Sequence, residues 1–345
     1  MTEILFVTNR SLKRTTLARP PDFTDEALPQ VVGSLWCGTV TIDGIDLANP
    51  DAGAIAQLTG LTKGGLSDTQ KAAILRSPND VLVFVHGAEN SFADAVVRAA
   101  YNRAWLVDAI KKDIDVVAFT WPARNYGDLS KIVNDDVDYR HDQLEARKSA
   151  FHFGLFLQQL YELRPHLSAS KRRLGLLCHS MGNYMLGGGI EAWFLNHAPE
   201  PLFDQVILAA ADEPNDTFQR PKGERLSRLA SLAKGITVYF NYEDFMMTLS
   251  QNVNLFMPLG FDGPPRKNDF QLFPTDSYQF VNCTNCNDYL GPNTQDRSHQ
   301  YYRQSPTVRR DIGALLLGQM PSRLNCDPNQ NEYFLFPMAI PDAIV

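Results

Sequence analysis

Leu174-Gly-Leu-Leu-Cys-His-Ser-Met-Gly-Asn183 is an apolar run of strand length that stops at a serine. His179 and Met181 flank Ser180, Gly182 follows two residues on, and residues 183–197 can continue as a helix. Strand, sharp serine-bearing turn and helix together spell a nucleophile elbow. Such a turn pushes the hydroxyl out at the carboxyl end of the strand and aims the first helical N–H groups at whatever it attacks. The usual spelling has glycine two residues before the serine. Cys178 stands there, a side chain still small enough for a crowded turn. A serine that merely caps a helix reads the same in isolation, so the rest of the chain must supply an oxyanion donor, an acid and a base.

Upstream lies Val81-Leu-Val-Phe-Val-His-Gly-Ala-Glu-Asn90. An apolar strand ends in His86-Gly87, and glycine lets the backbone turn so that the next N–H points into a site. The backbone N–H groups of Ala88 and Met181 are therefore the expected oxyanion hole, with His86 a structural hydrogen-bonder. Roughly ninety residues separate this loop from Ser180, room for two further strand–helix units.

Downstream, Ile236-Thr-Val-Tyr-Phe-Asn-Tyr-Glu-Asp244 ends a strand in two carboxylates. The chain order Ser, then Asp or Glu, then His favours Asp244 as the acid. Glu243 is the fallback, and Asp212, after the apolar run 206–211, is the rival. Of the seven histidines, His299 alone follows every candidate acid by a wide margin. An imidazole there can take the serine proton and return it to the leaving group while a carboxylate fixes its tautomer.

Apolar runs at residues 81–85, 115–119, 174–178, 206–211, 236–240 and 278–281 are mostly continuous, as in strands buried on both faces. Helix-length amphipathic segments at 91–112, 142–163 and 183–197 alternate with them, and a shorter helix is expected at 224–233. The pattern predicts a doubly wound α/β architecture. Residues 4–7 and 35–42 read as strands added to that sheet as antiparallel edges, 11–31 as a loop, and 45–80 as one helix, 67–75, within linking chain. Residues 125–139 are irregular, as are 256–275 with their four prolines.

The composition, 44% hydrophobic and 21% charged, is that of an ordinary globular protein. A net charge of −7 favours neither nucleic acid nor an anionic membrane as partner. The start carries no basic-then-apolar secretory pattern, and no apolar stretch is long enough to span a bilayer, so a cytoplasmic location is expected. Five cysteines do not make a disulfide scaffold in 345 residues. Cys283 and Cys286 have half the spacing of a zinc site, but a second pair is missing, which favours free thiols or a local staple. Gly187-Gly-Gly189 costs the expected helix on the order of one kcal/mol per glycine, which close packing on the sheet would explain. Phe245, Met246 and Met247 suit either an acyl pocket or core packing.

Phe6-Val-Thr-Asn-Arg10, Val83-Phe-Val-His-Gly87 with Asn90 and Phe92, Phe119-Thr-Trp-Pro122, His179-Ser-Met-Gly-Asn183, Val206-Ile-Leu-Ala-Ala-Ala-Asp212, Tyr239 to Asp244 and His299-Gln-Tyr-Tyr302 resemble, in order and spacing, a bacterial family of α/β-hydrolase-fold proteins of unknown function. The resemblance implies one α/β-hydrolase domain over residues 1–345. It would have edge strands and linker in 1–80, a core in 81–320 and an irregular excursion in 255–295. It also implies a triad of Ser180, Asp244 and His299. The expected reaction is hydrolysis of a carboxylic ester of a small-molecule acyl substrate through an acyl-enzyme, without metal or organic cofactor. Amide, thioester and lactone hydrolysis share that machinery. A non-catalytic binding module on the same fold is the alternative of a different class.

Overall fold

The six continuous apolar runs lie side by side as neighbouring parallel strands. The computed structural model describes residues 1–13, 22–125, 137–221, 223–291, 297–321, 323, 325–327 and 331–337. In chain order its strands are β1 (Thr2–Thr8), β2 (Arg10–Leu12), β3 (Phe23–Ala27), β4 (Trp36–Asp43), β5 (Ala54–Lys63), β6 (Asp80–Val85), β7 (Ile114–Thr120), β8 (Leu174–His179), β9 (Phe203–Ala209), β10 (Ala233–Phe240), β11 (Tyr278–Asn282), β12 (Asn325–Asp327) and β13 (Glu332–Phe334). The helices are α1 (Asp68–Arg76), α2 (Phe92–Ile110), α3 (Val137–Ala169), α4 (Met181–Trp193), α5 (Phe245–Asn254), α6 (Leu259–Asp262), α7 (Tyr301–Gln304) and α8 (Pro306–Leu316).

Eleven strands form one sheet in the order β12-β13-β11-β10-β9-β8-β6-β7-β1-β4-β5, and β2 pairs with β3 apart from it. Pairing is parallel from β13 through β1 and antiparallel at β1–β4 and β4–β5. A layer of helices covers each face. Alternate residues of β6 show the division: Val81, Val83 and Val85 face a core shared with α1, α3 and α4, whereas Leu82 and Phe84 face one shared with α2 and α8. This is the mostly parallel α/β-hydrolase architecture, with antiparallel strands at its N-terminal end.

The structure departs from the sequence reading in several places. β1 is internal and parallel to β7, so the antiparallel edge is β4 and β5. β5 occupies chain read as a linker; none of its ten residues is buried, so it lacks the apolar signal of the inner strands. No α-helix forms over 224–233. Arg225 takes φ +49°, a left-handed conformation that breaks helical continuation, and only a 3₁₀ turn, Leu229–Ser231, precedes β10. The short strands β12 and β13 add to the sheet beyond the core expected to end at 320. Most of the irregular stretch 125–139 lies outside the described residues. Among the described residues no helix is long and apolar enough to cross a membrane.

Candidate active site

The residues singled out around Ser180 gather where β6, β8, β9 and β10 reach their carboxyl ends. Ser180 follows β8 with φ +53° and ψ −131°, a backbone conformation costly for a residue with a side chain. Neighbouring backbone holds it there. Its N–H donates to the Ala209 carbonyl at 3.0 Å, and its own carbonyl accepts the N–H groups of Asn183 at 3.0 Å and Asp212 at 3.2 Å. The Asn183 side-chain amide adds a bond to that carbonyl at 3.0 Å. Gly182 is required by close approach, since a Cβ there would sit 2.5 Å from the His86 carbonyl oxygen. A Cβ on Gly87 would sit 2.7 Å from the Cβ of Ser180, which places the His-Gly loop directly against the elbow.

His86 is fastened into the fold. The Trp121 N–H donates to its Nε2 at 3.1 Å, so the ring proton resides on Nδ1, 2.8 Å from the Gly87 carbonyl. The Trp121 indole stacks on the ring at 5.2 Å and donates to the His86 carbonyl at 2.8 Å. Burial drives the imidazole far below its ordinary pKa. His86 is thus a neutral structural residue, as its sequence context suggested. Among the described residues nothing accepts the N–H of Ala88 or of Met181.

Asp244 and His299 meet. His299 Nδ1 lies 2.8 Å from Asp244 Oδ2, with Asp244 fully buried and His299 nearly so. Asp244 also caps α5, its Oδ1 accepting the Met247 N–H at 3.1 Å, so the helix end fixes the carboxylate. The two loops are stitched together. Asn241 Nδ2 donates to the Ser298 carbonyl at 3.0 Å, and the Phe245 N–H to Ser298 Oγ at 3.3 Å. His179, beside Ser180, donates from Nε2 to the His299 carbonyl at 3.1 Å, and its ring lies 4.6 Å from that of His299.

The other two candidate acids have different surroundings and side-chain partners. Glu243 is exposed. Asp212 is buried, with its oxygens taken by Ser250 Oγ and Tyr139 Oη, each at 2.5 Å. Burial raises its carboxyl above the ordinary aspartate range, against those two hydrogen bonds. Tyr139 and Ser250 carry no sequence signal as parts of this framework, since a tyrosine at a helix start and a helical serine are common surface residues, whereas His179 is marked in the sequence only as a neighbour of Ser180.

Cys283 and Cys286 are buried free thiols in one turn, where the Cys286 N–H donates to the Cys283 carbonyl at 2.9 Å. Burial pushes the Cys283 thiol well up. Of the three successive glycines of α4, Gly187 makes room for the Arg225 guanidinium, 2.9 Å from where a Cβ would sit, and the other two admit a neighbouring helix rather than the sheet. A Cβ on Gly188 would be 2.8 Å from Ala150, and one on Gly189 would be 2.6 Å from Phe153, both on α3. Met247 belongs to the buried core and Met246 packs against it.

The family model described as an alpha/beta hydrolase of unknown function, DUF900, matches residues 67–310. No curated protein matches the chain. Solved structures similar to it include RedJ with a PEG molecule bound in its active site, 14% identical, spanning 71% of this chain and 90% of that one at a TM-score of 0.33. A cutinase-like protein from Cryptococcus sp. is 11% identical over 71% of this chain and 97% of its own, with a TM-score of 0.31. Acetyl xylan esterase 1 from Thermoanaerobacterium sp. JW/SL YS485 is 11% identical over 68% and 73%, with a TM-score of 0.24.

Proposed function

The chain belongs to the DUF900 family of alpha/beta hydrolases of unknown function, and from that premise we propose that it is a serine hydrolase acting on carboxylic esters of small molecules. The observation that carries the proposal is the buried Asp244–His299 contact of 2.8 Å on loops stitched to the elbow of Ser180. In the proposed reaction, His299 takes the proton of Ser180 as its oxygen attacks the ester carbonyl. The N–H groups of Ala88 and Met181 receive the negative charge of the tetrahedral intermediate. His299 then protonates the departing alkoxide. Water, deprotonated by the same imidazole, releases the acid and restores the serine. Asp244 holds the tautomer of His299 and stabilises its imidazolium. The carbon–oxygen bond is cleaved without a redox step, so the scheme calls for no cofactor.

The test is turnover of a short activated ester such as p-nitrophenyl acetate. Wild type should hydrolyse it, and Ser180→Ala and His299→Ala should each lose on the order of 10³-fold or more in kcat. Equal rates for wild type and Ser180→Ala would remove Ser180 from the chemistry.

A further inference from the structure

We propose that Asp142 and Arg10 are positioning residues that clamp the loop after β6 and so keep the Ala88 N–H turned toward Ser180. This rests on the serine-hydrolase reading above and adds a part of the machinery that lies outside the triad.

Asp142 sits on α3 and is fully buried. Its Oδ2 accepts the N–H of Glu89 at 3.0 Å, and its Oδ1 accepts the N–H of Arg124 at 3.0 Å. The first donor lies one residue beyond Ala88 in the loop after β6, and the second lies in the loop after β7. Arg10 is equally buried and binds the same two loops through their carbonyls. Its Nη2 donates to the Asn90 carbonyl at 2.7 Å, and its Nη1 to the Ala123 carbonyl at 3.0 Å. Each loop is therefore gripped twice by a buried anion and a buried cation, at the one peptide joining Ala123 to Arg124 in the loop after β7 and at the Glu89 N–H and Asn90 carbonyl in the loop after β6. Charge-assisted hydrogen bonds of this kind are roughly twice as strong as neutral ones.

What the clamp accomplishes is legible in the backbone. Glu89 has φ +59°, a left-handed conformation that a glutamate enters only when its surroundings impose it. The Asp142 carboxylate supplies that constraint by capturing the Glu89 N–H. The Asn90 side-chain amide fixes the preceding carbonyl, donating to Ala88 at 2.6 Å. With those groups engaged, the Ala88 N–H is left without an acceptor among the described residues, in a loop so close to the elbow that a Cβ on Gly87 would sit 2.7 Å from that of Ser180. An oxyanion donor has to be held in this way before the reaction, because its worth lies in needing no reorganisation.

The experiment compares wild type with Asp142→Asn, counting competent serines by fluorophosphonate titration so that rates refer to folded sites. The expected result is a 10- to 100-fold lower kcat per titrated site with KM within about twofold, because a misplaced oxyanion donor costs about that much or more. Affinity for phenylboronic acid, whose tetrahedral adduct needs the oxyanion hole, should weaken by the same factor. A merely structural Asp142 would lower the titrated fraction and leave kcat per site and boronate affinity unchanged, and that result overturns the proposal. Should Asp142→Asn not fold, Arg10→Lys loosens the same loops from the carbonyl side and is read by the same two quantities. A wild-type protein that takes up no fluorophosphonate removes the hydrolase reading and this inference with it. Labelling with unchanged kinetics removes this inference alone.

Discussion

At the scale of single residues, three carboxylates compete for one role, and burial with partners separates them. Sequence order leaves Asp244, Glu243 and Asp212 all in contention, because each lies near a strand end after Ser180. Their side-chain partners come from distant chain: His299 for Asp244, Tyr139 and Ser250 for Asp212. No spacing rule carries that information. The geometry predicts that Asp244→Asn lowers kcat on the order of 10³–10⁴-fold, the scale expected when a histidine base loses the acid that sets its tautomer. Asp212→Asn should stay within about tenfold of wild type, because it alters only the side-chain bonds to Ser250 and Tyr139 and leaves the N–H that binds the elbow carbonyl in place. Steady-state kinetics on p-nitrophenyl acetate decide between them, and the reverse order of losses would give Asp212 the acid's role. The serine was legible for a local reason, since an elbow is written within one strand and one turn.

At the scale of elements, the buried strands were legible and the exposed or late ones were not. Continuous apolar runs gave β6 through β11, whereas β5 hides its pairing behind ten unburied residues. The opposite end of the sheet from the site is tied by one carboxylate. Asp204 on β9 receives both guanidinium nitrogens of Arg164 at 2.7 and 2.8 Å, Lys234 at 2.8 Å and the Leu174 N–H at 2.9 Å, joining α3, β8 and β10. Burial alone would raise its carboxyl, but these donors prevail and hold it down at about 2. A depressed folded-state value means stability that is present above the unfolded value near 3.8 and is lost as pH falls through about 2. Asp204→Asn should therefore cost about 2 kcal/mol at pH 7, with the difference from wild type shrinking between about pH 4 and pH 2. Urea unfolding at both ends of that range measures it, and a pH-independent difference would contradict the assignment.

At the scale of the whole molecule, the sheet is closed at its far side by chain that lies beyond the expected core. Arg323 grips Asp311 of α8 with two nitrogens at 2.7 and 2.8 Å and reaches Gln279 of β11 at 2.6 Å. Tyr239 of β10 donates to the same carboxylate at 2.5 Å. The pair is almost wholly buried, 2% and 4% exposed, so removing the cation strands a charge inside the fold. Arg323→Ala should lower unfolding stability by about 3–5 kcal/mol in chemical denaturation; a change below about 1 kcal/mol would show that Asp311 does not depend on it. Nothing in the local sequence marks Arg323, because its partners come from three separate elements.

All the groups assigned to chemistry sit at the carboxyl ends of the central parallel strands, where an α/β sheet opens its loops. An activated Ser180 would react with a fluorophosphonate, and mass spectrometry after exposure to that reagent reads the reaction on the residue itself. One adduct per chain is expected on the peptide that contains Ser180, and none on folded Ser180→Ala. Intact wild-type protein without that adduct, or equal labelling of both proteins, would contradict an activated Ser180.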